Sequence, residues 1–481
     1  MKIYTQITIG LALVALASGA QGADVVSIWG GARGTIILKS DGTVWTWGAN
    51  FDGKLGIGMD PNSLNRSPVP VEVHGPGNVG YLNSISAIMG GEIHNVALKA
   101  DGTVWAWGWN AFGQLGNGTT NDAYSPIQTG LGAVPPLTSV VQLGGRPYFT
   151  LAVKADGTVW AWGMNQYGQM GNGTVNPLSG PQVAVPVQVS NSGAGGAINH
   201  PLQVTCGYQF GAALAMNGTV WTWGSGSHGE LGNGTTGSSY APTQVPGLTN
   251  VTAISAGWFH ILALKSNRTA WAWGNNSNGE LGDGTTFNQS NAVQVLNVSN
   301  IVSVSGGDSH SSALAADGTV WKWGRNDLGE LGNGTTNAGA NPFPAKLLVD
   351  KFGAGFSNIV MVSARDYHNI AVKADGSVWM WGANDQGQCG DGTTNSVWRP
   401  SPVVGLGPRA GLRLNVASDP QPGYADLTWS SATGEYFAVE FSTNLAHGFT
   451  TVLQTNILAT PPTNLVTVPT TNAQTYYRLR F

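Results

Sequence analysis

Four of the eight histidines occupy one position of a repeated pattern, a His-x-x-Ala segment that follows a glycine step: His94, His260, His310 and His368. Imidazole nitrogens bind zinc and related metals, but a metal needs several of them around one point. These histidines lie in different repeats, which a ring-shaped protein would hold apart. We therefore expect each histidine to form a hydrogen bond within its own repeat, and we expect no metal site and no cofactor.

Other catalytic arrangements do not stand out in this sequence. Ser-His-Asp, paired-carboxylate and zinc spacings occur no more clearly than chance would give. The glycine-rich stretch of each repeat, for example GQLGNGTT from Gly113, is not followed by the Lys-Ser/Thr pair of a phosphate-binding loop. We predict that the protein is not an enzyme, and we keep Asp308 and Asp366 as the acids of an alternative, a polysaccharide-active enzyme.

The residues that follow the glycine step vary from repeat to repeat, and aromatic and acidic side chains are frequent among them. Aromatic anchors within a polar surround are typical of protein-binding surfaces. The alternative is ordinary loop variation, with some rings placed in a central channel. The predicted binding residues, all in loops expected on one face, are Glu92, Tyr148, Tyr208, Gln209, Trp258, Phe259, Asp308, Asp366 and Tyr367.

The composition excludes one class of partner. The chain has 481 residues, of which 70 are glycine and only 10% are charged, whereas about 25% are charged in ordinary soluble domains. Its formal net charge is -4 and its Lys and Arg residues form no basic stripe. Because basic residues supply most of the affinity for nucleic acids, we expect no nucleic-acid partner.

The N-terminus has the features of a secretory signal peptide, predicted at residues 1–22. Lys2 precedes an apolar run from Ile7 to Leu16, and the small-residue stretch ASGAQGA offers cleavage after Ala20 or Gly22. The run is shorter than the roughly 18 residues of a membrane-spanning helix, and we expect no integral membrane segment in the mature chain. The two cysteines, Cys206 and Cys389, imply no disulfide framework.

The strands that hold these loops belong to a repeat with the signature Trp-x-Trp-Gly, as in DGTVWAWG from Asp101. Each unit also contains a Val/Ile segment ending in Gly, a second apolar segment and a Pro/Val segment, which gives four short strands. Seven such units predict an all-β, seven-bladed β-propeller at residues 23–406. The first tryptophans of the pairs are separated by 60, 55, 61, 50, 50 and 58 residues: Trp45, Trp105, Trp160, Trp221, Trp271, Trp321 and Trp379.

The tryptophan pairs and the chain ends suggest how the ring is held together. Two rings two residues apart on a strand leave by the same face, so we assign 14 of the 19 tryptophans to packing between blades. The last Pro/Val segment has no successor. We predict that residues 399–405 join the N-terminal strands in one blade and so clasp the ring.

The repeat VTAISAGWFHILALKSNRTAWAWGNNSNGELGDGTT, from Val251, resembles that of the regulator of chromosome condensation family. The resemblance covers residues 24 to about 406 and implies a seven-bladed propeller. Two departures are Arg146 and Arg365, at first-strand ends where most repeats have Gly, and neither is expected to disturb the architecture. The resemblance implies two kinds of role: nucleotide exchange on a small GTPase, as in an intracellular member, or binding an enzyme through aromatic loops, as in a secreted bacterial inhibitor of β-lactamases.

A different pattern begins at about Gly407. Six alternating segments within residues 407–481 predict a small C-terminal β-sandwich, which resembles the fibronectin type III-like modules of exported bacterial proteins. The whole sequence predicts an exported, monomeric, non-enzymatic propeller, located in the periplasm, at the cell surface or in the medium, that binds a protein or a glycan through one face. A regulatory or guanine-nucleotide exchange-like role remains the main alternative.

Overall fold

The structure is a computed structural model that describes residues 24–31, 33–130, 137–146, 148–177, 180, 182–190 and 198–406, and the backbone of six strands between 415 and 480. The predicted signal peptide lies outside the described residues. The chain divides into two compact units whose boundary falls between Ser401 and Pro402.

The first unit consists of seven four-stranded antiparallel sheets, each built from four consecutive strands. The all-β, seven-bladed propeller predicted from the repeat is therefore confirmed. Blades 1 to 4 contain β1 (Val25–Gly31), β2 (Gly34–Lys39), β3 (Val44–Ala49), β4 (Arg66–Glu72); β5 (Ile85–Gly90), β6 (His94–Lys99), β7 (Val104–Gly108), β8 (Ala123–Gln128); β9 (Val140–Arg146), β10 (Phe149–Lys154), β11 (Val159–Gly163), β12 (Val183–Gln188); and β13 (Pro201–Cys206), β14 (Phe210–Ala215), β15 (Val220–Gly224), β16 (Ser239–Gln244). Blades 5 to 7 contain β17 (Val251–Ala256), β18 (His260–Lys265), β19 (Ala270–Gly274), β20 (Gln289–Gln294); β21 (Ile301–Gly306), β22 (His310–Ala315), β23 (Val320–Gly324), β24 (Ala345–Lys346); and β25 (Ile359–Arg365), β26 (His368–Lys373), β27 (Val378–Gly382), β28 (Val397–Pro402).

The Asp-Gly turns fix the hairpin between the second and third strands of a blade. In blade 2, Asp101 Oδ1 accepts hydrogen bonds from the Thr103 backbone N–H at 2.9 Å and from the Thr103 hydroxyl at 2.6 Å. Gly102 has a φ of +82°, which a side chain would strain. The Thr103 hydroxyl oxygen accepts the ring N–H of Trp105 at 3.1 Å. The DGTVW segment is thus one hydrogen-bonded unit that sets the strand register.

The second tryptophan of each pair is fully buried between two blades. All seven are 0% exposed, and each donates its ring N–H to a backbone carbonyl of the preceding blade: Trp47 to Gln388, Trp107 to Lys54, Trp162 to Gln114, Trp223 to Gln169, Trp273 to Glu230, Trp323 to Glu280 and Trp381 to Glu330. A Cβ on Gly232, which has a φ of +62°, would lie 2.7 Å from the Trp273 ring nitrogen. The Gly-x-Leu-Gly stretch therefore leaves space for the next blade's ring, and the prediction that the pairs pack between blades is confirmed for the second ring of each pair.

The repeat-position histidines also connect blades. The predicted hydrogen bond within each histidine's own blade is wrong, because every partner belongs to the following blade. The Nε2 contacts are His94 with Thr150 Oγ1 at 3.0 Å, His260 with Ser311 Oγ at 3.0 Å, His310 with Asn369 Oδ1 at 3.1 Å and His368 with Thr35 Oγ1 at 3.2 Å.

The direction of these hydrogen bonds follows from the partners. The Ser311 hydroxyl donates its single proton to the Glu280 carbonyl at 2.7 Å, so its oxygen accepts from His260 Nε2–H. Burial, together with the charge on Arg146, lowers the pKa of His260 to about 3. His260 is therefore a neutral imidazole at physiological pH.

The ring closes by hydrogen bonds and packing between blades 7 and 1, including a backbone hydrogen bond from the Gly392 N–H to the Pro68 carbonyl at 3.1 Å. The predicted clasp is wrong, because β28 completes the sheet of β25, β26 and β27, while β1 lies in a sheet with β2, β3 and β4. The chain begins with the inner strand of one complete blade and ends the propeller with the outer strand of another, so no blade lacks a strand. The contacts of Trp47 with Gln388 and of His368 with Thr35 therefore span a seam without a shared sheet.

In the part of the second unit that the structure describes there are six strands, and each of the six segments predicted in this region overlaps one of them. They form two three-stranded antiparallel sheets, in the orders β29-β30-β33 and β32-β31-β34. The fibronectin type III likeness stays a prediction. Within the part of the chain that the structure describes, no helix has the length and apolar character to cross a membrane. The strands are β29 (Asn415–Ser418), β30 (Tyr424–Ser430), β31 (Tyr436–Ser442), β32 (Thr451–Leu458), β33 (Thr463–Pro469) and β34 (Tyr476–Arg480).

Candidate functional site

The nine predicted binding residues lie in the loops between the first and second strands of blades 2 to 7. The structure separates them into an arc of aromatic rings and a buried charged centre. Gln209 joins neither group: it is half-buried, and its backbone carbonyl accepts the Ser225 N–H at 2.9 Å.

We call the first group the aromatic arc, and it contains Trp109, Phe112, Tyr148, Tyr208, His228, Trp258, Phe259 and Tyr367. Successive rings are in contact from blade 2 to blade 5 and on to blade 7. The centroid separations are 5.3 Å for Phe112 and Tyr148, 5.3 Å for Tyr148 and Tyr208, 5.0 Å for Tyr208 and Trp258, 5.5 Å for Tyr208 and Phe259, 5.1 Å for His228 and Phe259, and 6.3 Å for Trp258 and Tyr367. Every ring is half-buried, so each is held by its neighbours and still reaches solvent.

The charged centre is organised by an ion pair between Arg146 of blade 3 and Asp366 of blade 7. Arg146 Nη1 lies 2.8 Å from Asp366 Oδ1, and Asp366 is 1% exposed. Arg146 Nη2 also donates to the Ala256 carbonyl at 2.9 Å and to the Gly306 carbonyl at 3.1 Å. One guanidinium therefore joins four blades across the middle of the ring. The Trp258 ring N–H donates to Asp366 Oδ1 at 2.7 Å and connects the arc to this centre.

The other two predicted acids are also largely withdrawn from solvent. Asp308 is 7% exposed, faces Arg325 Nη1 at 3.3 Å, and has a pKa raised to about 6 by burial and by Asp366. Burial, with Asp366, raises the pKa of Glu92 to about 8, and Lys54 Nζ donates to the Glu92 backbone carbonyl at 2.5 Å. The acids thus form a largely buried acidic floor beside the aromatic arc and do not alternate with its rings at the surface.

Sequence reasoning missed several members of the site. Trp109, Phe112, His228 and Arg325 belong to the connections between third and fourth strands, which approach the same end of the ring. Each stands where other repeats carry different side chains, for example Ala49 at the position of Trp109. Comparison of that position between repeats would have found them. Arg146 and Arg365 stand at first-strand ends where most repeats carry glycine, but the sequence does not show that Arg146 forms an ion pair across the ring.

The sequence predicts no metal site at the repeat-position histidines. Among the described residues, no group of three His, Cys, Asp or Glu side chains is arranged to hold a metal ion. Cys206 and Cys389 are buried and free, and burial raises the pKa of both thiols.

A family model of the RCC1-like domain matches residues 11–257 and 83–418. The chain belongs to the RCC1-like domain family. Curated relatives of this RCC1-like chain include the human E3 ubiquitin-protein ligase HERC2, 32% identical over 243 residues that make up 49% of the chain and 4% of HERC2. The Arabidopsis thaliana ultraviolet-B receptor UVR8 is 29% identical over 249 residues, or 51% of the chain and 52% of UVR8. The matched part therefore spans about half of UVR8 and a small fraction of HERC2.

Two solved structures share the fold. Human WBSCR16 superposes with a TM-score of 0.65 at 21% identity, covering 77% of this chain and 96% of WBSCR16. Yeast RCC1 (Prp20), solved bound to Kap60, superposes with a TM-score of 0.63 at 23% identity, covering 84% of this chain and 92% of that one. These similarities agree with the seven-bladed architecture. At such low sequence identities they show a shared fold and do not show a shared function.

Proposed function

We propose that this RCC1-like propeller is an exported, non-enzymatic protein that binds a protein partner through the aromatic arc. The observation that carries the proposal is the unbroken contact of eight half-buried rings along one end of the ring. Tyr and Trp are the residue types that most often dominate binding energy at protein interfaces.

The construction of the arc favours binding without rearrangement. The rings stand on loops between strands, and their mutual contacts fix their orientation before a partner arrives. Trp258 is held further by its hydrogen bond to the buried Asp366. Ordering side chains on binding costs free energy, so a surface that is already ordered retains more of its contact energy as affinity.

Relatives of known role are consistent with protein binding. Yeast RCC1 (Prp20) is solved in complex with Kap60, and a second structure of Prp20p concerns its binding to Gsp1p and histones. Those partners belong to that protein. The partner proposed here is one met outside the cytoplasm.

The alternatives have less support at this site. A polysaccharide-active enzyme would use Asp308 and Asp366, yet the Asp366 carboxylate already accepts from Arg146 and Trp258. Asp308 faces Arg325. If Asp308→Asn abolished an activity of the protein on a panel of glycans, the enzymatic alternative would replace our proposal. A guanine-nucleotide exchange-like role predicts an uncleaved N-terminus in the cytosol.

The binding test compares two Phe→Ala variants. Phe259 lies in the arc, whereas Phe287, in the connection between β19 and β20 of the same blade, is 75% exposed and is not a member of the arc. The mature chain, starting at residue 23, is used to capture proteins from the producer's extracellular and envelope fractions. The captured protein is then purified and titrated calorimetrically. We expect Phe259→Ala and Tyr208→Ala to weaken binding at least about tenfold, as loss of an interface anchor does.

The same experiment has outcomes that reject the proposal. Phe287→Ala should bind like the unsubstituted chain. Equal affinity for Phe259→Ala, Tyr208→Ala and Phe287→Ala would move binding away from the arc. Capture of no protein, with binding of a glycan instead, would replace the protein partner. Export is checked by N-terminal sequencing of the protein from the medium or envelope, where we expect a first residue at Gln21 or Ala23.

A further inference from the structure

The inner strands enclose a central channel that the aromatic arc does not use. It contains a cavity of about 480 Å³. The Arg146–Asp366 pair lies at the arc end of the inner strands, while residues near their beginnings, such as the exposed Val302, line the other end. A small ligand would therefore reach the cavity from the face opposite the arc.

A series of hydroxyl groups runs around the cavity wall and ends at the seam between blades 7 and 1. Three of them each accept a backbone N–H of the following blade: Thr205 from Ala256 at 3.2 Å, Ser255 from Gly306 at 3.1 Å and Ser305 from Ala364 at 2.9 Å. Ser363 is the next member, at the matching position of β25. Among the described residues, no hydrogen-bond partner is found for its hydroxyl.

Arg365 lines the cavity two residues further along the same strand, so its side chain leaves by the same face as that of Ser363. It is 6% exposed, and its Cζ lies 3.9 Å from the centroid of the Trp29 ring. No described residue accepts a hydrogen bond from its guanidinium, and its buried Nε has no partner. A guanidinium carries five N–H donors, and leaving them unsatisfied in the interior is costly.

The one acid whose charge acts on Arg365 is already engaged by another arginine. This acid is Asp366, and its Oδ1 is bound by Arg146. Glu92 and Asp308 interact with Arg146 but are not among the charges that act on Arg365. Burial, with the charge on Arg146, lowers the pKa of Arg365 well below its usual value. An additional negative charge in the cavity would stabilise the charged guanidinium of Arg365.

We propose that the central channel binds a small oxyanion, a carboxylate or a phosphate, through the free guanidinium of Arg365 and the hydroxyl of Ser363. The guanidinium fork matches two oxygens of such an anion, and its stacking on Trp29 fixes the plane of the fork. The remaining cavity volume holds water or the rest of an organic anion. This site is separate from the aromatic arc and stands whether or not the arc binds a protein.

The test titrates the full mature chain with inorganic phosphate and, in a second arm, with acetate. Bound anion is measured by equilibrium dialysis against radiolabelled probe. We expect about one phosphate or acetate per chain. Arg365→Gln should weaken binding at least about tenfold, because hydrogen bonds to charged groups are lost. Arg66→Gln, the same change at an exposed outer-strand arginine, should leave binding unchanged.

Ser363→Ala keeps the guanidinium and guards against a folding defect in Arg365→Gln. We expect this variant to weaken binding severalfold with an unchanged near-ultraviolet circular dichroism spectrum. No saturable binding of either probe by the unsubstituted chain would overturn the proposal, as would equal binding by Arg365→Gln. Preference for phosphate or for acetate identifies which oxyanion the site takes.

Discussion

At the scale of single residues, the buried histidines show that the sequence reveals a repeated position but not the hydrogen-bond partner of the residue there. The repeat places His260 beside a glycine step, and the sequence predicts a hydrogen-bonded imidazole but puts its partner in the wrong blade. Its partner, Ser311, comes from the next blade and lies 51 positions away. Only the packing of one blade on another brings the two together.

The neutral state of His260 leads to a pH-dependent stability. Its folded-state pKa of about 3 lies below the unfolded-state value of about 6.5. Above pH 6.5 neither state gains a proton, and the contribution of His260 is fully present. As the pH falls below 6.5, only the unfolded state gains the proton, and stability is lost by about 1.4 kcal/mol per pH unit until the folded-state pKa is reached.

We therefore expect the destabilisation caused by His260→Gln to be largest at pH 7.5 and about 2 kcal/mol smaller at pH 5. The free energy of unfolding in urea measures it. The control is Ser311→Ala, which removes the hydrogen bond and keeps the buried imidazole, so its cost should be similar at both pH values. An equal cost of His260→Gln at the two pH values would show that the histidine is not held neutral.

At the scale of elements, the Trp-x-Trp strand divides its two rings between different tasks. In β7, Trp107 is 0% exposed and donates to the Lys54 carbonyl of the preceding blade. Trp105 is half-buried, donates to Thr103 of its own turn, and is covered by the Lys99 ammonium at 4.8 Å. The pattern predicts that both rings share a face, but the sequence alone does not show which of the two is more deeply buried.

We expect Trp107→Ala to lower the free energy of unfolding by about 3 to 5 kcal/mol, because a fully buried ring leaves a cavity and an unpaired carbonyl. Trp105→Ala should cost clearly less, since solvent already reaches its ring. Urea unfolding of the two variants measures the difference. If Trp105→Ala cost as much as Trp107→Ala, the two rings would not differ in their contribution to the interface between blades.

At the scale of the whole molecule, each blade is a separate sheet, and the ring has one seam, between blades 7 and 1, that the chain does not cross. Between other neighbouring blades the chain itself continues from one blade to the next. Between blades 7 and 1 the contacts include the hydrogen bonds of Trp47 and Thr35 to the Gln388 carbonyl and the stacking of Arg365 on Trp29. Local opening therefore has the lowest cost at this seam.

We expect native-state hydrogen exchange to show faster exchange in β1 and in β25 than in the matching inner strands of blades 3 to 5. The physical reason is that the polypeptide chain does not cross this seam, so no covalent connection within the propeller holds blades 7 and 1 together when they open. Exchange followed by mass spectrometry of peptides from each blade measures it. Uniform protection of all inner strands would mean that the seam is as stable as the interfaces that the chain crosses.

The sequence by itself determined the local and periodic properties of this protein: four short strands per repeat, seven repeats, Asp-Gly turns and paired tryptophans that pack between blades. These follow from turn chemistry and from hydrophobic patterning, which act over a few residues. The position of the predicted loops at one end of the ring followed from the same repeat. The free ends of the chain suggested a clasp, and this failed because both terminal blades are complete.

The tertiary structure alone decided which side chains from different blades meet. The Arg146–Asp366 pair joins residues 220 positions apart, and the aromatic arc gathers rings from two kinds of loop. Arg365 and Ser363 acquire their significance only because no described residue forms a hydrogen bond with the guanidinium of one or the hydroxyl of the other at this seam. Such contacts depend on the closure of the ring, and no spacing along the chain encodes it directly.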